Sequence, residues 1–561
     1  MPMDKVCSQC SASFEITDDD LAFYKEIAPV FNGKQFPIPS PMQCPACRLQ
    51  RRLLFRNERK LYKRNSGISR KPMVTMFAPD NPYKTCSQEE WFSDTWDPMA
   101  YGKECNFSHP FFDQLRALNL AVPHPGLNNT NVENSEYTNY ALNQKNCYLI
   151  FGAADNEDCL YGKFVIFSKN TTDCLSVYSC EWCSEGVASQ QCYGCHYFLN
   201  CHNCSDCFMI EDCSGCKNCI MCFGLRQREY CILNKQLTRE EFLSQKAALY
   251  PLTSQKIGRM QQQLNELQKN LPHIGSHIYA SEDCTGDAIY NSKGCKECFD
   301  INHCEDCHCT AFTPNGVSSY DSTYSAPDGV QWCNNVTCTI GHRCLGTYMC
   351  WYTNDVYYSI NCRQCDFCFG CVGLRNKKYC IFNRQYTKED YEVLAGRIAE
   401  KMTAAGEWGH FLPPDLSHFA YNETIAQEYF PLTREQALAL RFRWRPEDAI
   451  LPDAKKTIPG EQLPDTIGNI PDDILHWAII CSATKKPFRI TKPELDFYRR
   501  MELPVPRLHP DERHRLRLAK KKPYRLWNRT CAKCQKPIAT SFAPDRPEIV
   551  YCETCYLSEV Y

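Results

Sequence analysis

Long apolar runs are missing from this 561-residue chain. No stretch approaches the roughly 18 consecutive apolar residues of a membrane-spanning helix, so an α-helical span is not expected. An excess of one charge sign is missing too. Lys and Arg number 63 against 65 Asp and Glu, for a net charge of −2, so any nucleic-acid surface must be local rather than a global basic coat. The start, Met1-Pro2-Met3-Asp4, lacks the basic and apolar regions of a secretory leader and runs almost at once into a Cys-x-x-Cys pair. A cytoplasmic setting without membrane partners is the expectation. The phosphate-loop pattern GxxxxGK[ST], the nucleophile elbow GxSxG and the zinc-protease pattern HExxH are all absent. The 14 scattered histidines suggest no triad, so the balance is against an enzyme.

Cysteine is what the chain has in excess, 41 of them. The odd count and the many Cys-x-x-Cys pairs favour reduced or metal-bound thiols over a disulfide framework. Aromatics at 12% argue for packed cores rather than disorder.

Self-similarity organises the rest. The block from Cys44 aligns without gaps on the block from His509, carrying Phe77-Ala78-Pro79-Asp80 onto Phe542-Ala543-Pro544-Asp545. Further upstream, Phe14-Glu15-Ile16-Thr17 matches Phe488-Arg489-Ile490-Thr491. One module is therefore used at both ends. The centre is doubled as well: CIMCFGLRQREYC and CFGCVGLRNKKYC lie at a constant offset of 149, with a one-residue slip for Cys147 and Cys159 against Cys295 and Cys307. Inside the first half, Cys159, Cys180, Cys201 and Cys222 recur every 21 residues among Asn, Asp, Ser and Gly clusters, the look of β-solenoid rungs. Each half closes on a helical pattern whose Thr N-cap, Thr238 or Thr387, is followed three residues on by an acid. The first of these patterns, reaching about Asn270, reads as a helical hairpin or a dimer seam.

The fold class expected is α+β: duplicated treble-clef or zinc-ribbon modules flanking a duplicated, Cys-rich, β-solenoid-like centre with helical caps. The boundaries expected are an N-terminal zinc module at 1–105, repeat halves at 106–272 and 273–410, a connecting segment at 411–474, and a C-terminal zinc module at 475–561.

Cys531, Cys534, Cys552 and Cys555 form two knuckles with a zinc-ribbon spacer, and Cys7, Cys10, Cys44 and Cys47 follow the same logic with a longer one. Four thiolates fill a tetrahedron and leave no open position, so two structural Zn2+ sites are expected. Each module lacks a second site. In the first copy its positions hold Ser66, Ser69, Ser87 and Glu90; in the last they hold Cys481, Thr484, His509 and Glu512. After CPACR, a helical pattern to Tyr62 lines up Arg48, Arg52, Arg56, Arg59 and Lys63, and the last copy repeats Arg513, Arg517 and Lys521. A stripe of this kind is either a solvated face or a grip on a phosphate backbone. The sharper expectation is nucleic-acid contact by Arg48, Arg52, Arg56, Arg513, Arg517 and Lys521, on basic helices at 48–63 and 513–529. The central cysteines read as packing, as further metal ligands or as redox thiols.

The strings CPACRLQRRLLFRNERKLYKR, WFSDTWDPMAYG, NQKNCYLIFG, YNETIAQEYFPLTREQAL and TSFAPDRPEIVYCETCY, spread over nearly the whole chain, resemble a family of cysteine-rich, zinc-ribbon-like proteins of candidate-phyla-radiation (Patescibacteria) bacteria. The resemblance implies this architecture and a bacterial cytosolic setting, with no activity to carry over. The chain departs from the family pattern at the Ser66, Ser69, Ser87 and Glu90 positions and at Thr484, His509 and Glu512. The function expected is a non-enzymatic, zinc-stabilised binding or scaffold protein, with RNA, a ribosome-like particle or another protein as partner. The alternatives are a multinuclear metal store or thiol-redox protein, and a self-assembling homo-oligomer.

Overall fold

Every third residue through most of 140–233 has a positive φ: Asn143, Asn146, Leu149 and Gly152 on one turn of chain, Asp155, Asp158, Tyr161 and Phe164 on the next. The computed structural model describes residues 3–446 and 454–560. A left-handed residue every three positions bends the chain at a corner each time, so four short sides close a twelve-residue rung. Asn, Asp and Gly are at home at such corners because they tolerate the left-handed region. Successive rungs pair in parallel twelve residues apart: Asn139 with Phe151, Phe151 with Lys163, Lys163 with Leu175. The result is one sheet of eleven strands in sequence order, from Asn129–Glu133 to Lys235–Gln236.

The second half keeps the parallel pairing but divides it between a six-stranded and a seven-stranded sheet. Gly286 pairs with Cys298, Phe299 with Ala311 and Asn354 with Asp366, each twelve apart. Between Tyr320 and Cys333 the register is thirteen, and a bulge lies between Ala326 and Gly329. That extra residue accounts for the one-residue slip between the halves. The period of 21 is corrected by the same ladders: the pairing repeat is twelve, and 21 is two rungs less one three-residue side. Cysteines line the interior of both stacks as columns such as Cys183, Cys195, Cys207 and Cys219, all buried. The thiols lie near backbone carbonyls and near one another: Cys183 Sγ donates to Glu181 O at 3.3 Å and Cys192 O at 3.4 Å, and also meets the Cys180 thiol.

Both expected helical caps are present. Thr238 caps the Arg239–Leu249 helix through a complete capping box with Glu241, and Thr387 caps Lys388–Ala404 by accepting from the Asp390 N–H. A second helix, Ser254–Gln268, completes the hairpin expected in the first half.

The end modules share one order of elements. A hairpin (Met3–Val6 with Ser13–Ile16; Trp477–Ile480 with Pro487–Phe488) precedes a helix capped by Thr17 or Thr491. A second helix follows, Pro45–Leu53 or Pro510–Leu518, and then another hairpin. The basic helices are shorter than expected. Where 48–63 was expected, the helix ends at Leu53 and Tyr62–Asn65 is a strand; where 513–529 was expected, it ends at Leu518 and Trp527–Thr530 is a strand. The segment at 411–474 is more than a connection. Leu416, Tyr421 and Ile425 join the core around the first module, and Ile458, Leu463 and Ile474 join the core around the last. The expected linker's residues 447–453 lie outside the described residues.

The modules dock crosswise. The N-terminal module packs Phe23, Leu53 and Phe55 with Phe312, Tyr348 and Phe369 of the second stack. The C-terminal module packs Phe488 and Phe497 with Phe208 and Ile220 of the first.

Candidate metal centres and the basic helices

Cys7 and Cys10 sit on the turn between the first two strands, while Cys44 and Cys47 frame the start of the Pro45–Leu53 helix. Pro45 at the first helical position suits this start, since its missing N–H would have no partner there. The four sulfurs lie within 4.8 Å of one another, and so do those of Cys531, Cys534, Cys552 and Cys555. Cys10 Sγ is 3.7 Å from Cys44 Sγ, and Cys534 Sγ is 3.8 Å from Cys552 Sγ. A tetrahedron with metal–sulfur bonds of about 2.3 Å has edges of about 3.8 Å, so both clusters fit a four-coordinate ion. Peptide N–H groups point at the sulfurs, Gln9 to Cys7 at 3.4 Å and Cys552 to Cys531 at 3.2 Å, as suits thiolates.

The thiols within each cluster are unequal: the Cys44 sulfur pushes Cys47 well up, and Cys552 pushes Cys555 up to about 12. The Cys47 thiol, reinforced by its backbone N–H, draws Cys44 down to about 5 against the opposing effect of burial. At Cys531 burial pushes upward, but the N–H groups of Cys534, Cys552 and Lys533 outweigh it and hold the thiol at about 6. Among the described residues, only these two groups bring three or more His, Cys, Asp or Glu ligand atoms together at this spacing. No central cysteine belongs to such a group; there burial pushes Cys344 up to about 12, while the neighbouring thiols of Cys362 and Cys368 draw Cys365 down to about 4.

The positions expected for a second site in each module make other contacts. In the first module the Glu90 carboxylate takes the Ser66 hydroxyl at 2.5 Å, the Ser87 N–H at 2.9 Å and the Ser69 N–H at 3.2 Å. One acid thus ties together the knuckles that a metal would otherwise join. In the last module Cys481 accepts from the Thr484 N–H at 3.4 Å, while Glu512 turns to Arg515 at 2.7 Å and His509 caps the Asp511 N–H at 3.1 Å.

The six expected nucleic-acid contacts are corrected by where their charges go. Arg48 and Arg52 meet Asp321 of the second stack at 2.9 and 2.7 Å, and the Arg52 side chain is 0% exposed. Arg56 lies beyond the helix end. It pairs with Glu58 at 2.7 Å and is sandwiched between the rings of Tyr140 and Tyr324 at 3.8 and 4.0 Å. Arg513 pairs with Asp173 of the first stack, and Arg517 reaches Asp173 at 2.8 Å and Glu185 at 2.9 Å. Lys521 meets Asp300 at 2.7 Å. These cations are engaged inside the protein rather than offered to a phosphate backbone. Burial alone would raise Asp321, but Arg48 and Arg52 hold it below the usual carboxylate range.

Asp173 and Asp321 were missed in the sequence, although a signal exists. They lie 148 apart, the slipped offset of the two halves, and both occupy left-handed corners with φ of 57° and 53°. Equivalent arginines of the two end modules therefore grip equivalent aspartates of the two stacks, each module on the half farther from it in sequence.

No protein-family model matches the sequence, and no curated protein matches it as a relative.

Proposed function

We propose that the protein is a non-enzymatic scaffold in which two β-solenoid halves are clasped crosswise by two zinc-binding modules of treble-clef or zinc-ribbon type. The observation that carries this reading is the pair of four-cysteine clusters with tetrahedral sulfur spacing. All-thiolate tetrahedral sites of this kind suit zinc in a structural role. The arginine–aspartate clasp supports a rigid frame rather than an open cleft. No cysteine is disulfide-bonded, and a cytoplasmic setting and kinship with the cysteine-rich Patescibacteria family belong to the same reading. An RNA or ribosome-like partner would have to be met by cations other than the six already paired inside the protein.

The test is elemental analysis of the purified native chain, with zinc, iron and copper measured per molecule. About two zincs and no other metal supports the scaffold. Six or more metals would overturn it in favour of a multinuclear store in the centre, and none would remove the zinc modules.

A further inference from the structure

The first stack is finished at one end and open at the other. Its last strands turn back as a hairpin, Glu229–Ile232 with Lys235–Gln236, beneath the Arg239–Leu249 helix. Its first strand, Asn129–Glu133, is outermost in the sheet, and residues 130–134 are exposed. Only Asn129 is covered on the outer side, where its peptide exchanges hydrogen bonds with the Gln88 amide. On later rungs the amides equivalent to Asn134 donate to the preceding strand, Asn146 to Glu133 O and Asp158 to Lys145 O, both at 3.0 Å. At Asn134 there is no preceding strand to accept.

The side-chain columns have a direction as well. Asn131 Nδ2 donates to Asn143 Oδ1 at 2.8 Å, and Asn143 Nδ2 donates to Asp155 Oδ1 at 2.7 Å; likewise Asn134 Nδ2 donates to Asn146 Oδ1 at 3.2 Å, and Asn146 Nδ2 to Asp158 Oδ1 at 3.1 Å. Beside them Lys145 and Lys169 both meet Glu157 at 3.0 Å. The open rung therefore presents two amide oxygens, Asn131 and Asn134, without a donor, and one carboxylate, Glu133, without a cation within 4.0 Å, among the described residues.

We propose that this edge is a docking site for an extended segment of a partner protein. The segment adds as one more parallel strand and carries a side-chain donor over Asn131, a Lys or Arg over Glu133 and a donor over Asn134, an Asn-x-Lys-Asn pattern. Strand addition to an open edge supplies main-chain hydrogen bonds, and the side-chain columns supply register. A second copy does not fit. Edge against edge would set Glu133 and Glu136 of each copy together without a cation and would face acceptors with acceptors. This inference goes beyond the scaffold reading and stands whichever metal fills the clusters.

The probe is a fluorescent, end-capped peptide centred on Asn-Gln-Lys-Asn, titrated into the full chain by anisotropy. Saturable binding is expected, weakened at least about tenfold when the peptide Lys becomes Glu, in keeping with a lost charge-assisted bond. The variant Glu133→Lys should reverse that preference while its melting curve and metal content stay unchanged, since Glu133 is exposed. No saturable binding, or equal binding of both peptides, overturns the proposal. So does a native dimer that Glu133→Lys dissociates, which would name a second copy as the occupant. Failure of the scaffold reading would register separately, in the metal count.

Discussion

Replacing Asp321 with Ala should release the N-terminal module locally. This carboxylate is 2% exposed and takes Arg48 and Arg52 at 2.9 and 2.7 Å. A unit charge pair at about 4 Å is worth about 4 kcal/mol at an effective dielectric of about 20, and these contacts are closer. Desolvation offsets much of that gain. Removing one partner, however, strands two cations in a dry interface, and breaking a buried pair costs about 3–5 kcal/mol. The loss should concentrate in the Pro45–Leu53 helix and the surface it covers, so hydrogen exchange is a better readout than a single melting temperature for a chain of this size. Amides of that helix should exchange about two to four powers of ten faster under conditions where opening is in equilibrium. The equivalent change, Asp173→Ala, should do the same to Pro510–Leu518 and leave the first helix protected. An exposed pair, Lys34 with Glu400 at 63% and 55% exposure, is the control and should cost less than about 1 kcal/mol. A loss below about 1 kcal/mol for Asp321→Ala as well would refute the clasp as an energetic feature.

Three further outcomes follow from the same contacts. Cys10→Ser and Cys534→Ser should each lower the bound metal by about one ion per chain, read by elemental analysis, and should make melting insensitive to chelators at the altered module only. His124, His196, His202 and His514 are each held near 4 by burial, below the ordinary 6.5. The unfolded chain takes up their protons first, so stability is full above about 6.5 and is lost as pH falls towards about 4; His277 and the buried Glu185, Glu211 and Glu494, all raised instead, act in the opposite direction but are outnumbered once His273, His410, His418 and His509, also lowered, are counted. Melting temperature should therefore fall between about pH 7.5 and about pH 5, and a flat or rising profile would contradict this. With metal bound, a water-soluble thiol reagent should quickly modify only Cys105 and Cys284 among the cysteines outside the two clusters, with the stack interiors reacting after denaturation; rapid loss of the central columns would contradict their burial.

What the sequence disclosed was what is local. Cys-x-x-Cys knuckles, Thr capping boxes and the alignment of the two end modules depend on neighbours a few residues away, and the eight candidate ligands gathered as two groups of four. The rung length was harder to see. The cysteine columns skip positions, Thr171 standing between Cys159 and Cys183, while the series Cys159, Cys180, Cys201 and Cys222 at 21 runs across that gap unbroken. The basic stripe shows the limit most plainly. Arg48 and Arg52 do share a helical face, but helical periodicity cannot say whether that face meets solvent, RNA or the chain's own Asp321, which lies 269 residues from Arg52. Nor does local pattern explain why the helix stops at Leu53, where the chain turns inward to bury Leu54 and Phe55.

The crosswise clasp also sets an order of events during synthesis. The N-terminal module is made first, yet its own anchor, Asp321, comes 148 residues after the equivalent Asp173, which belongs to the other module. At roughly 5–20 residues per second, the decoy would precede the true site by roughly 7–30 s. A nascent chain therefore has time to dock its first helix on the wrong half. The aromatic contacts made only with the second stack, Phe23 stacked on Tyr320 at 3.7 Å and Phe55 edge-on to Tyr348 at 5.6 Å, are what can undo that error once the later sequence emerges. The C-terminal module faces no such delay, because both stacks are complete when it appears.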